Sequence, residues 1–233
     1  MNLNRADQIA EEIQEQIFGG SFKDGERLDE IRLAEQFGVS RTPLREALKK
    51  VALLGIVKKI PNRGVFVHHP GPIELLEMFE VMSELESICG RLAAKRISEK
   101  ALTKLNEANA KCKKAIKNKN PDAYYIENEQ FHKIIYKQSG NSFLEKEAIK
   151  LQKRLQPFRR IQLRFRGRIE QSMSEHETIV QALTLGDASM AENALRNHVA
   201  VQGDKFHQLV ASFNKTADYN YILQTNKKLI DRF

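Results

Sequence analysis

Residues 38–50 read GVSRTPLREALKK, and this stretch decides how the first third of the chain folds. Leu44, Ala47, Leu48 and, just beyond, Val51 stand at i, i+3, i+4 and i+7, one face of a helix. Arg41, Arg45 and Lys49 recur every four residues on another face. Burying the apolar face turns the cations away from the core. The helix starts with Ser40 as its cap, or with Thr42 as cap and Pro43 at the tolerated first helical position. A B-DNA major groove accepts such a helix, and guanidinium groups pair bidentately with guanine or grip phosphates. Ser40 and Thr42 reach phosphates or base edges from the helix start.

Upstream, RADQIAEEIQEQIF (5–18) repeats Ile9, Ile13 and Ile17 every four residues, an amphipathic stripe ended by Gly19 and Gly20. LDEIRLAEQFG (28–38) sets Leu33 and Phe37 one turn apart, with Asp29 as N-cap and Gly38 as stop. The short link to the next helix is that of a helix-turn-helix. Downstream, IVKKI (56–60) and GVFVH (64–68) are β-rich runs around the turn PNRG. A basic hairpin after a recognition helix is a wing, and Arg63 beside Gly64 is placed to enter a minor groove. The competing reading is a three-helix module with a solvated basic face.

The net charge of +8 suggests an anionic partner, and its position says more than its size. Residues 1–40 carry more acids than bases, whereas residues 41–63 hold Arg41, Arg45, Lys49, Lys50, Lys58, Lys59 and Arg63 against Glu46 alone. The absence of an apolar run of about 20 residues argues against a membrane span, and MNLNRADQIAEEIQEQ offers no secretory h-region. Cys89 and Cys112 have no C-x-x-C spacing and read as two buried free thiols, suited to a reducing cytoplasm.

HHPGPIE (68–74) marks a boundary. Beyond it the chain reads as six helices, roughly 73–97, 98–117, 121–138, 142–165, 167–185 and 188–213, an all-helical bundle. His132, His176 and His198 fall on three of them, Asn128 lies one turn before His132, and a bundle can gather such residues around an ion. Read alone, each is as well explained by a structural or surface histidine. KRLQPFRRIQLRFRGR (153–168) is basic throughout, and one of Arg159, Arg160 or Arg164 is placed to pair with a carboxylate in the bundle. The tail DYNYILQTNKKLIDRF (218–233) spaces Tyr219, Ile222, Leu223, Leu229, Ile230 and Phe233 as an extra helix would.

The segment GERLDEIRLAEQFGVSRTPLREALKKVALLGIVKKIPNRGVFV (25–67) resembles the winged helix-turn-helix of the GntR family of bacterial transcription regulators. NEQFHKIIYKQSGN and SEHETIVQALTLGDASMAENALRNH resemble the FCD effector domain of its FadR-like branch, in the six-helix VanR-type form. The resemblance implies DNA contacts from Ser40, Arg41, Thr42 and Arg45, and backbone contacts near Gly64; Lys49 and Arg63 join them from the basic-face reading. It implies a homodimer on a near-palindromic double-stranded operator, and a divalent metal of the zinc, nickel or manganese class held by His132, His176, His198 and the family's Asp. That Asp is Asn128 here, an amide that ligates without charge; Glu129 is the nearby substitute. The family's arginine in the first effector-domain helix is Met82.

The expected fold is therefore mainly α, with a winged helix-turn-helix DNA-binding domain over 1–70, an all-helical FCD ligand-binding domain over 71–215 and a tail over 216–233. The expected function is a cytoplasmic, ligand-responsive regulator, a repressor released by a small carboxylate-bearing metabolite. The alternative is a constitutive DNA-binding dimer with a vestigial or metal-free pocket. An enzyme is not expected: there is no HExxH and no phosphate loop, and Glu175 points about 100° away from His176, poorly placed as a base for water held there.

Overall fold

The computed structural model describes residues 4–213 apart from Gly19. Two compact units divide them, one holding the residues up to Gly71 and the other running from Pro72 to Ala211. The tail helix expected over 216–233 lies outside the described residues.

In the first unit, α1 (Arg5–Phe18) buries Ile9, Ile13 and Ile17 completely, each such side chain contributing about 1.5–3 kcal/mol by leaving water. After the short strand β1 (Arg27–Leu28) comes α2 (Glu30–Phe37). Asp29 caps α2, its Oδ1 accepting from the Ile31 and Arg32 amides at 2.8 and 3.2 Å. Gly38 stops it at φ 60°, a left-handed conformation that a side chain would strain. Helix α3 (Arg41–Leu53) buries Leu44, Ala47, Leu48 and Val51 against the same core. The strands β2 (Val57–Ile60) and β3 (Gly64–Val67) pair antiparallel, with Ile60 opposite Gly64.

The structure decides one open point of the sequence reading and adds a strand to another. Ser40, not Thr42, is the N-cap residue, extended at φ −72° and ψ 168° with no side-chain capping bond. Pro43 is thus the third helical residue, which the helix accepts because its first amides have no intrahelical partner. The wing also gains a third strand: β1 pairs with β3, Leu28 opposite Val65, giving the order β1-β3-β2.

The second unit contains α4 (Pro72–Ala94), α5 (Glu99–Lys117), α6 (Pro121–Gln138), α7 (Ser142–Gln162), α8 (Arg168–Leu185) and α9 (Ala188–Phe213). Polar caps set the junctions. Ser98, Asn120, Asn141 and Asp187 accept from the amides of Ala101, Ala123, Leu144 and Met190. Helix α5 packs on α6 and α8, and α4 packs on α6, α7 and α8, so histidines on α6 and α8 face a common interior. Cys89 and Cys112 are buried free thiols, pushed up to about 12 by burial and unreactive for that reason.

Helices α4 and α9 meet at Gly90. A Cβ there would overlap Leu195 Cδ1 and stand 3.0 Å from the Ala191 carbonyl oxygen. Gly90→Ala is therefore expected to destabilise the helical unit by about 1–3 kcal/mol, despite alanine's better helix propensity. Thermal or urea unfolding checks this; an unchanged or raised stability would show that the two helices separate at no cost.

Candidate functional site

Two sets of side chains carry chemistry. In the first unit, burial of the apolar face of α3 leaves Ser40, Arg41, Thr42, Arg45 and Lys49 exposed. Arg45 Nε donates to Glu30 Oε2 at 2.8 Å, which steadies the guanidinium at the surface, and Lys49 pairs with Glu46 at 2.7 Å. Arg63 is exposed in the three-residue loop of the hairpin, where Asn62 takes a φ of 59°. Gly64 follows at φ 109°, its α-carbon side facing Arg27. Lys58 and Lys59 add exposed charge on β2. This is a basic helix start with a basic hairpin, the equipment for phosphate and base-edge contacts.

In the second unit, His132 of α6, His176 of α8 and His198 of α9 converge. All three are buried, and one ligand atom from each lies within 4.8 Å of the others. Each ring's Nδ1 has an oxygen close by. His132 Nδ1 is 2.7 Å from Glu86 Oε2, His198 Nδ1 is 2.5 Å from Glu175 Oε2, and His176 Nδ1 is 3.2 Å from Asn109 Oδ1. In His176 and His198 a hydrogen-bond acceptor at Nδ1 keeps the ring proton there and leaves the Nε2 lone pair for a ligand. His198 Nε2 and His132 Nε2 are 3.2 Å apart, and His176 Nε2 is buried with no hydrogen-bond partner. His176 also stacks on Phe131, ring centroids 4.0 Å apart and planes 8° from parallel.

The electrostatics follow from burial. Desolvation, and then the neighbouring histidines and Arg168, hold His176 and His198 well below the usual imidazole range. They are neutral, the form that binds metals. Burial alone would raise the Glu86 carboxyl, but His132 and Arg159 outweigh it and keep it below the usual carboxylate range. Glu86 Oε1 accepts from Arg159 at 2.7 Å and from the Tyr136 hydroxyl at 2.8 Å. Glu175 also takes Arg168, at 2.9 Å.

These residues fit a divalent cation. The donor set is three buried imidazoles, those of His176 and His198 neutral, with the His176 Nε2 unsatisfied. Metal–nitrogen bonds of about 2.1 Å hold two tetrahedral ligand nitrogens about 3.4 Å apart, close to the 3.2 Å of the His132–His198 pair. Asn128 is buried one turn before His132, and it lines a cavity of about 10 Å³ with Arg159, Gln162, Leu163, Arg168 and Ser172. Glu129 is not part of the cluster; it pairs with Lys133 at 2.8 Å. Of the three arginines read as carboxylate partners, Arg159 is buried in the bundle. Arg160 and Arg164 turn outward to Asp122 at 2.7 and 3.5 Å.

Sequence reasoning missed Glu86, Asn109 and Arg168, and set Glu175 aside. Glu86 had a signal: Leu75, Phe79, Met82, Cys89 and Ala93 form the buried stripe of α4, and Glu86 stands on it. A carboxylate on an apolar stripe requires a partner. Glu175 does point away from His176, as their adjacency on α8 demands, and the direction it takes is toward His198.

A winged helix-turn-helix with an outward basic helix, joined to a helical bundle closed around histidines, defines a two-part DNA-binding regulatory protein. Residues 5–67 match the model of the bacterial regulatory proteins of the gntR family, and residues 77–201 match that of the FCD domain. The chain is 30% identical over 194 residues to the uncharacterized HTH-type transcriptional regulator YdhC of Bacillus subtilis, covering 82% of this chain and 86% of that one. It is 26% identical over 222 residues to the gluconate operon transcriptional repressor of the same organism, covering 91% and 90%. The solved structure of McbR/YncC from E. coli superposes with a TM-score of 0.72 at 24% identity, over 89% of this chain and 99% of that one. The chain belongs to the GntR family and carries an FCD domain; it is a transcription regulator, not an enzyme. No described helix is long and apolar enough to cross a membrane.

Proposed function

We propose that this chain is a transcriptional repressor that binds a near-palindromic operator as a homodimer and leaves it when a small carboxylate-bearing metabolite binds in the helical domain. The DNA-binding domain is residues 1–70, the ligand-binding domain 71–215. The observation that carries the reading is the buried, unpartnered Nε2 of His176 beside the Nε2 pair of His132 and His198. These three histidines hold a divalent ion, with the Asn128 carbonyl as a neutral fourth oxygen. Such an ion, when bound, supplies positive charge to which a carboxylate coordinates. Glu86, Glu175 and Asn109 fix the rings, and Arg159, whose Nε is buried without a partner, offers the guanidinium that pairs with the acid.

Release requires that the metabolite bind the DNA-compatible and DNA-incompatible arrangements with different affinity. The test is fluorescence anisotropy on operator DNA, titrating carboxylic acids with and without added zinc. Saturable, zinc-dependent release is expected. Operator binding that no acid alters would favour a constitutive, metal-free regulator, a reading to which the 3.2 Å contact between the His132 and His198 nitrogens lends support, since it closes as a hydrogen bond when one of the two rings carries a proton on Nε2.

On the DNA side, Ser40, Arg41, Thr42, Arg45, Lys49, Arg63 and the Gly64 backbone form the contact set. Arg45→Ala is expected to weaken operator binding by about 1–3 kcal/mol if the guanidinium reads a base. If it grips only a phosphate, the loss is uniform over sequences and the salt dependence falls by about one counterion. Unchanged affinity at every salt concentration removes Arg45 from the contact set.

A further inference from the structure

Nine cations meet at one end of the helical bundle. Lys111, Lys113, Lys114, Lys117 and Lys119 fall on the last turns of α5 and just past it. Arg160, Arg164, Arg166 and Arg168 run from the last turn of α7 to the start of α8. One small core holds these segments together: Cys112 and Ala115 of α5, Tyr124 and Tyr125 of α6, Leu163 just after α7 and Met173 of α8 pack as a single buried cluster. Arg160 crosses it on the outside, its guanidinium 5.7 Å from the centre of the Tyr125 ring and 2.7 Å from Asp122, which Arg164 also reaches at 3.5 Å.

Five acids answer the nine charges. Asp122 serves two arginines, while Glu127, Glu177 and Glu175 pair with Lys111, Lys113 and Arg168 at 3.4, 2.6 and 2.9 Å. Glu170 stands exposed on the first turn of α8. Four charges are left over, half of the chain's net +8. Among the described residues Lys114, Lys117, Lys119 and Arg166 pair with no acid, and all four are exposed. Cations in the last turn of a helix offset its dipole, which accounts for Lys114 and Lys117. The other two stand where a dipole disfavours them. Lys119 directly precedes Asn120, the cap of α6, and takes a φ of 52° at a position usually held by Gly or Asn. Arg166 directly precedes Gly167, the cap of α8, which offers no side-chain acceptor to the first amides of that helix. Positive charge kept at two helix starts is suited to an anion from outside the chain.

We propose that this end of the bundle is a second DNA-binding surface, which grips the phosphate backbone without reading sequence and adds to the hold of the winged helix-turn-helix. It rests on the DNA-binding family of the chain and on neither the metal nor the effector reading. A duplex is the densest polyanion a transcription regulator meets, and lysines and arginines that neutralise its phosphates gain affinity by releasing counterions. The surface also gives a role to the outward arginines at 160, 164 and 166, which the histidine site does not use.

The experiment measures binding of the full chain to a random-sequence duplex several helical turns long, by fluorescence anisotropy over a potassium chloride series. The test variant combines Lys114→Gln, Lys119→Gln and Arg166→Gln. The control combines Lys95→Gln, Lys100→Gln and Lys137→Gln, three exposed lysines at the other end of the bundle, where the Ser98 amide meets Gln138. Each lost phosphate contact flattens the slope of log affinity against log salt by about 0.9, so the test variant is expected to lose about two to three in slope and about tenfold or more in affinity at low salt. The control is expected to lose less than about one contact. The same loss is expected on top of Arg41→Ala with Arg45→Ala, since the two surfaces share no partner. Equal slopes for wild type and test variant overturn the second surface, and a loss confined to the Arg41 and Arg45 variant then leaves the winged-helix reading standing. Equal losses in test and control overturn it too, assigning the effect to overall charge. Phosphatidylglycerol vesicles that hold the wild type but not the test variant, with DNA slopes unchanged, reassign the surface to lipid. Gln matches Lys in helix propensity, and unfolding midpoints establish that both variants fold.

Discussion

Glu86→Ala is expected to cost the helical domain about 3–5 kcal/mol, the range for removing one partner of a buried ion pair. The reason is what remains. Arg159 has 4% of its side chain exposed and Glu86 none, so truncation leaves the buried guanidinium and the Tyr136 hydroxyl without the acceptor they share. Two groups lose their acceptor at one stroke, because Oε1 serves both Arg159 and Tyr136, while Oε2 stands 2.7 Å from His132 Nδ1. Glu84, two residues earlier on another face of α4, is the control. It makes a comparable contact with Arg196 at 2.8 Å, but its side chain is 57% exposed, so Glu84→Ala should cost no more than about 1 kcal/mol. Replacing the pair together, Glu86→Ala with Arg159→Met, should recover much of the loss, since a buried pair can be exchanged for apolar groups at little net cost. Zinc affinity should fall about 10–100-fold in the single variant, the usual effect of removing a group that orients a metal-binding histidine. Equal unfolding midpoints for the Glu84 and Glu86 variants would show that solvent reaches Arg159 and that the pair is not a determinant of the bundle.

The same residues show where sequence reading succeeds and where it stops. The helices were legible because their apolar spacing is long and regular and their ends are chemically marked: Ile9, Ile13 and Ile17 on α1, Asp29 and Gly38 around α2, and Ser98, Asn120, Asn141 and Asp187 at the starts of later helices. β1 was not legible, because a two-residue strand has no period; pairing with β3 alone makes it a strand. Helix α7 ends at Gln162 rather than 165, since the arginine-rich run that follows carries no apolar pattern to fix a boundary. Three histidines of the site were named through the resemblance to the FCD domain, while their supports were not. Asn109, Arg168 and Glu175 act across helix interfaces, and their relation to the histidines depends on how α5, α8 and α9 are rotated against one another. Glu86 is the intermediate case. Its place on the α4 stripe announces a buried carboxylate, but not that the partners are His132, Arg159 and Tyr136.

His176→Ala is expected to abolish stoichiometric metal binding while leaving operator affinity without effector within about twofold, since no cation proposed to touch DNA shares a partner with His176 and interactions between sites without shared partners add nearly independently. Among the three rings, His176 offers the clearest test. Its Nε2 has no partner and its Nδ1 meets only the neutral Asn109, so truncation strands no buried charge, whereas truncation of His132 would take the neighbour of the buried Glu86 Oε2. What the fold loses is the stack on Phe131, worth about 0.5–1.5 kcal/mol beyond the area buried. Two independent readouts follow. Elemental analysis should find about one divalent ion per wild-type chain, the number a single three-histidine site holds, and none in the variant. Zinc at 100 times its dissociation constant should stabilise the wild type by about 2.7 kcal/mol and raise its unfolding midpoint, with no shift in His176→Ala. Asn109→Ala, which removes only the oxygen at Nδ1, should fall between them, with affinity reduced about 10–100-fold. An identical zinc-induced shift in wild type and His176→Ala would place the ion elsewhere and reduce the triad to packing. If the shift is lost but carboxylic acids still release the variant from DNA, the effector binds without the metal, and Arg159 becomes its primary contact.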